Sequence, residues 1–185
     1  LLDTVDWPIV FLGAIRAGIV PIPLNTLLAA DQYAYMLADS RAKALVVSAA
    51  LLPLVEPLFT DLPALKHVLV AGGDAGAHLS LTAELAKESD VFSTAPTHPD
   101  ETAFWLYSSG STGAPKGTRH IQTSLMATAK LYGQGVLGIR EDDVGFSVAK
   151  LFFAYGLGNS LSFPLAVGAT VILNPGRPTP QTAYE

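Results

Sequence analysis

At 185 residues, half of them hydrophobic, the chain is long enough to bury roughly 70% of the surface its unfolded form exposes. A formal net charge of −5 with scattered Lys and Arg excludes nucleic acid as a main partner. The absence of cysteine excludes disulfides, thiolate metal sites and cysteine nucleophiles, and fits a reducing, cytoplasmic compartment.

No secretory signal is expected, because no charged region, apolar stretch and cleavage site follow one another at Leu1-Leu2-Asp3. Trp7 to Leu24 is the most apolar window, but Pro8, Arg16, Pro21 and Pro23 interrupt it. It reads as a buried helix followed by a strand, Ile19 to Leu24, and not as a membrane span. Asp3 or Thr4 is the expected cap of that first helix, and Gly18 its stop. A second helix is expected over Asp31 to Ala38, with Tyr33, Met36 and Leu37 at core spacing. Then follow a strand at Ala44 to Val47, a helix at Leu51 to Phe59 and a strand at His67 to Ala71. A glycine-rich turn, Gly72 to His78, leads to Ser80 as cap of a short helix, Leu81 to Lys87.

This alternation predicts an α/β fold with largely parallel sheets. Residues 1–88 form a first β/α sub-block, 89–100 a linker with prolines and no helical period, and 101–185 a second sub-block. In the second sub-block Thr102 to Tyr107 reads as a strand, Thr123 to Leu137 as a helix with an apolar side, and Val144 to Val148 and Ala169 to Leu173 as strands. The helix's apolar side would hold Leu125, Met126, Ala129 and Tyr132 to Val136. Arg140 to Asp143 reads as a solvated charged turn, not a metal site. Both ends look cut, since the first helix lacks a strand to feed it and the last strand has no cover.

The stretch Tyr107 to Gly117 carries the chemistry. Beyond the tyrosine it packs hydroxyls (Ser108, Ser109, Ser111, Thr112), glycines (Gly110, Gly113, Gly117) and Lys116 into one loop. Glycines let successive backbone N–H groups converge on an oxyanion, hydroxyls add donors, and lysine adds a mobile charge. A nucleotide polyphosphate is the guest such a cradle suits. The stretch is not a Walker loop: counted from Gly110, Pro115 stands at the second glycine position and Gly117 at that of the Mg-binding Ser/Thr.

Ser108-Ser-Gly-Ser-Thr-Gly-Ala-Pro-Lys-Gly117 resembles the phosphate-loop signature of the acyl-adenylate-forming enzymes, which include acyl-CoA and aryl-CoA synthetases, luciferases and peptide-synthetase adenylation domains. Thr118-Arg119-His120 departs from the valine-rich strand expected before a histidine, which leaves that strand open. A second run, Lys150 to Asn159, holds Phe152, Phe153 and Tyr155 beside Gly156 and Gly158. It reads either as core or as the wall of a ligand site, the glycines favouring a wall because they leave open volume next to aromatic faces. It resembles the family's aromatic motif Pro-Leu-Phe-His-x-x-Gly, with Lys150 in place of proline and Phe153 in place of histidine.

The resemblance implies a chemistry: a carboxylate attacks the α-phosphorus of ATP, and the thiol of coenzyme A then displaces AMP. It implies that Ser108 to Gly113, Lys116 and Gly117 bind the nucleotide, that Lys116 and Thr112 act in catalysis, and that Mg²⁺ sits on the phosphates with no metal ligand from the chain. Phe153 would gate the acyl pocket, and Ala154, Tyr155 and Gly156 would line it. The form of this run, with Leu137 to Asp143 upstream, is most similar to the benzoate-CoA ligases within the family, which implies an aryl acid and not a fatty acid. A fatty-acyl or amino-acid substrate, and a nucleotide-binding module without chemistry, stay open as alternatives, as does a homodimer. The family's adenine-binding segment, ribose-binding aspartate, hinge and C-terminal lysine are not found in these residues, so the chain alone is expected to be inactive. His67, His78 and His98 read as surface or capping residues, and His120 as a neighbour of the loop that is not catalytic.

Overall fold

The computed structural model describes residues 1–108 and 113–184. They fall into two compact units, Leu1 with Asn25–Ser93, and Leu2–Leu24 with Thr94 onward. Residues 2–24, assigned above to the first sub-block, therefore pack within the second unit.

In the first unit β1 (Ala44–Ser48), β2 (His67–Ala71) and β3 (Leu79–Ser80) form a parallel sheet in that order, with Ala44 opposite His67 and Leu69 opposite Leu79. Strand β3, two residues long, was not expected, because so short a segment carries no period. Helix α2 (Ala30–Asp39) buries Tyr33, Met36 and Leu37, the residues expected from spacing. The Tyr33 hydroxyl donates to the Asn25 carbonyl at 2.7 Å. The helix expected over Leu51 to Phe59 is α-helical only at α3 (Leu52–Val55), and Glu56–Asp61 continues as 3-10 helix. Pro57 is the cause: it has no N–H to donate to the Pro53 carbonyl, and its ring crowds that carbonyl. Helix α4 (Leu81–Leu85) begins as expected, with the Ala83 N–H donating to Ser80 Oγ at 3.3 Å.

In the second unit α1 (Asp6–Arg16) buries Trp7 and Phe11, one turn apart, with ring centroids 4.8 Å apart. Gly18 ends it at φ +72°, and the Ile19 N–H reaches the Ala14 carbonyl while the Gly18 N–H reaches Ile15, the paired bonds of a Schellman stop. At the other end the expected cap is absent. Val5 holds the cap position, no side chain caps the helix, and Asp3 is committed elsewhere. Ile19 to Leu24 is not a ladder strand. Pro21 and Pro23 lie two apart, so both missing N–H groups fall on one edge, and β4 meets the segment through the Trp105 N–H, which donates to the Pro21 carbonyl at 3.1 Å.

Strands β4 (Thr102–Ser108) and β5 (Lys116–Ile121) form an antiparallel hairpin, which confirms the strand that Thr118-Arg119-His120 left open. The helix expected over Thr123 to Leu137 is α5 (Ser124–Thr128) followed by a π-helical segment, Ala129–Gln134. The Thr128 hydroxyl donates to the carbonyls of Ser124 and Leu125, competing with the regular ladder where the helix loosens. Only Ala129 and Gly133 of this helix are buried, while Met126 and Val136, assigned to its apolar side, are exposed. Strands β6 (Val144–Phe146) and β7 (Thr170–Ile172) pair in parallel. Between them runs a helix that was not foreseen: α6 (Ala154–Leu157), a π-helical segment Gly158–Ser162, and α7 (Phe163–Val167), ended by Gly168 at φ +81°. Glycines 156 and 158 and Pro164 disguise it in the sequence.

Candidate active site

The hairpin builds the first half of the site. Ser108 pairs with Lys116, so the ladder holds together the two ends of the stretch between them. Ser109, Gly110, Ser111 and Thr112 lie outside the described residues. Gly113 has φ +140°, a backbone conformation other residues rarely adopt, and nothing lies within 4 Å of where its Cβ would be. Gly117 lies against Trp105, whose Cε3 would be 3.0 Å from a Cβ there. Lys116 is exposed, and among the described residues no carboxylate pairs with its ammonium. β5 begins at Lys116 itself, so the described residues that follow the stretch are strand and not helix.

Side chains opposite one another in an antiparallel pair share a face. Phe104, Leu106 and Ser108 therefore share one with His120, Thr118 and Lys116. A bulge at Ala103, where Thr102 faces Ile121 and Phe104 already faces His120, twists the strand just before this series begins. His120 stacks on Phe104 with ring centroids 4.6 Å apart and planes 2° apart. Burial holds its imidazole below the usual histidine range, so the ring is neutral at pH 7.

Phe104, Leu106 and His120 form one wall of a cavity of about 90 Å³. Leu125 and Thr128 of α5 form a second wall, and Ala154, Leu157 and Gly158 a third. Several waters could fit in such a volume, and its lining is mainly apolar.

The aromatic run divides between core and surface. Leu151 and Phe152 are core residues, whereas Phe153 and Tyr155 are 47% and 68% exposed. Ala154 lines the cavity, so of the residues expected to line an acyl pocket it is the one brought beside the hairpin. The glycines leave no open volume where a Cβ would stand. A Cβ on Gly156 would lie 2.0 Å from the Lys150 carbonyl oxygen, and one on Gly158 would lie 2.6 Å from Phe163 Cζ. They are small because backbone and ring press against them.

Sequence reasoning assigned Asp3 to a cap and missed its partner. Its buried carboxylate accepts the Leu151 N–H at 3.2 Å, directly beside the aromatic run. Burial pushes its carboxyl above the ordinary 3.8, against the lowering effect of the Leu151 N–H and the Lys150 ammonium. No local sequence signal announces this contact, because the partner stands 148 residues away. The Arg140 to Asp143 turn closes on itself, the Arg140 N–H donating to Asp143 Oδ2 at 2.8 Å. Among the described residues no cluster of three His, Asp or Glu could hold a metal, and no helix is long and apolar enough to cross a membrane.

A family model described as AMP-binding enzyme matches residues 1–184. The chain is 60% identical to the benzoate-CoA ligase of Thauera aromatica over 185 residues, all of this chain and 35% of that ligase. It superposes on a benzoate CoA ligase from Burkholderia xenovorans LB400 with a TM-score of 0.90 at 45% identity, covering 99% of this chain and 35% of that one. It superposes also on the anthranilate CoA ligase AuaEII in complex with anthranoyl-AMP, with a TM-score of 0.92 at 40% identity, covering 95% of this chain and 34% of that one. The chain thus spans about a third of the length of the relatives it matches.

Proposed function

Because the chain belongs to the AMP-binding enzyme family, we propose that the protein carrying it is an ATP-dependent aryl-CoA ligase that converts benzoate, ATP and coenzyme A to benzoyl-CoA, AMP and diphosphate. One observation carries this reading: the hairpin register puts Ser108 and Lys116, at the mouth of the loop, on the same face as the apolar cavity wall that Ala154 completes. An aryl acid beside that wall would direct its carboxylate toward a nucleotide held by the loop.

In the first step a carboxylate oxygen bonds to the α-phosphorus of ATP and the bond to the β-phosphate oxygen breaks, giving benzoyl adenylate and diphosphate. The sulfur of coenzyme A then bonds to the acyl carbon, the thiol proton leaves, and the carbon–oxygen bond to AMP breaks. The first step needs stabilisation of charge on a polyphosphate leaving group more than it needs an acid or base. Hydroxyls and N–H groups from Ser108 to Gly113, Thr112 among them, and the Lys116 ammonium supply it. Mg²⁺ bound with the nucleotide would neutralise part of the charge on its phosphates. Phe153, Ala154 and Tyr155 contact the ring side of the substrate, and Gly156, buried against the Lys150 carbonyl, packs the turn that carries them. We place the protein in the cytoplasm.

The test is benzoate-dependent diphosphate release by the full-length protein and by Lys116→Ala. Loss of one such donor lowers turnover by about 10²–10³, and Lys116→Ala is expected to do the same. Full activity in that variant would remove the role given to the loop, and no benzoate-dependent release from the unaltered protein would remove the substrate.

A further inference from the structure

We propose that Lys150 is a positioning residue that sets the aryl pocket by tying the base of the aromatic turn to the segment after β7. The proposal rests on the reading of Phe153, Ala154 and Tyr155 as pocket residues. The Lys150 ammonium donates to the Asn174 carbonyl at 2.5 Å and to the Gly176 carbonyl at 2.6 Å, both more than twenty residues away in the chain. The receiving turn is itself braced, since the Gly176 N–H donates to Asn174 Oδ1 at 2.8 Å. Two backbone carbonyls on one ammonium are charge-assisted bonds, stronger than neutral ones.

The other side of the same turn is equally fixed. The Leu151 N–H is held by the buried Asp3 carboxylate, and the Lys150 carbonyl accepts the Phe153 N–H at 3.0 Å. Gly156 closes the arrangement, with no Cβ to separate α6 from the Lys150 and Ala149 carbonyls. Lys150 and Leu151 are thus anchored through their side chain, N–H and carbonyl groups, while the Phe153 and Tyr155 side chains, a few residues on, stay exposed. Such a fixed base beneath exposed rings, Phe153 steadied by the Phe152 ring with centroids 4.5 Å apart, suits a rigid, flat substrate. Where the resembling motif has proline, stiff but without reach, this chain has a residue long enough to bind a second segment.

A small error at the reacting end is costly in rate, so a loosened turn reads out in binding of the acid before anything else. The experiment compares Lys150→Met and Lys150→Arg with the unaltered full-length protein in diphosphate release, with KM for benzoate and for ATP measured separately. Loss of two charge-assisted bonds is expected to raise the benzoate KM about tenfold in Lys150→Met, with the ATP KM within about twofold. Arginine, which keeps the charge and several donors, should recover most of that loss. An unchanged benzoate KM, equal rises for both substrates, or an arginine variant no better than methionine would each overturn the proposal. If Lys150→Met does not fold, Lys150→Gln, which keeps donors but no charge, takes its place under the same criteria. An unaltered protein inactive toward benzoate would instead remove the substrate reading, and the proposal with it.

Discussion

Replacing Gly156 with alanine adds one carbon where the fold has no room. The new Cβ would lie 2.0 Å from the Lys150 carbonyl oxygen and 2.5 Å from that of Ala149. The closest ordinary approach of carbon to carbonyl oxygen is about 3.3 Å, so α6 must retreat by roughly 1 Å from the turn it abuts. Both obstacles are backbone atoms, which cannot swing aside as a side chain would. Overpacking of this kind costs about 3 kcal/mol at the upper end of its usual range, and the better helix propensity of alanine offsets about 1 kcal/mol of it. The net loss is about 2 kcal/mol, or a fall in Tm of about 4–8 °C for a domain of this size. Gly13→Ala is the internal control, because nothing lies within 4 Å of its Cβ position and it sits inside α1. There the same substitution should stabilise by about 0.5–1 kcal/mol. Thermal melts followed by circular dichroism decide the matter. A Gly156→Ala protein that melts at or above the unaltered protein, while Gly13→Ala behaves as stated, would refute the account of the turn.

Burial depresses the His120 imidazole, so the unfolded chain takes up a proton there before the folded one does. Its contribution is intact above the ordinary 6.5 and is lost as pH falls below it, and urea titrations from pH 7.5 to 5 should show a smaller loss of stability in His120→Phe. An identical pH slope in the variant would count against this placement of the ring. Asp3 has the opposite sign. Its raised carboxyl means that the unfolded chain ionises first as pH climbs from 3.8, so the folded state loses stability across that rise. Asp3→Asn, which keeps an acceptor for the Leu151 N–H, should gain on the unaltered protein between pH 4 and 7, and a gap independent of pH would show that burial does not govern this group.

Much of the first unit was legible in the sequence because its signals are local. Tyr33, Met36 and Leu37 stand at helical spacing, β1 and β2 are short apolar runs with two valines each, and Ser80 caps a helix within its own three-residue reach. Pro57 could have been used to shorten the helix expected after Leu51, since a proline's effect falls on the carbonyl four residues before it. Reading Ile19 to Leu24 as a strand missed that Pro21 and Pro23 both remove donors from the same side. In the second unit the exposed faces of Met126 and Val136 overrode a periodic apolar pattern, because periodicity states which residues share a side and not whether anything covers it.

By itself the sequence determined what the proposed site has to work with: glycines, hydroxyls and a lysine within one short stretch, the donor types an anion needs, and a strand leading into it. Tertiary structure alone decided what those donors face and what fixes the opposite wall. The antiparallel register of β4 and β5 sets the side of the hairpin on which Lys116 projects, Asp3 finds its partner 148 residues away, and Gly156 is required because the folded turn puts the Lys150 carbonyl oxygen 2.0 Å from where a Cβ would stand. Composition and spacing act along the chain, whereas register, burial and close approach depend on atoms that share no neighbourhood until the chain has folded.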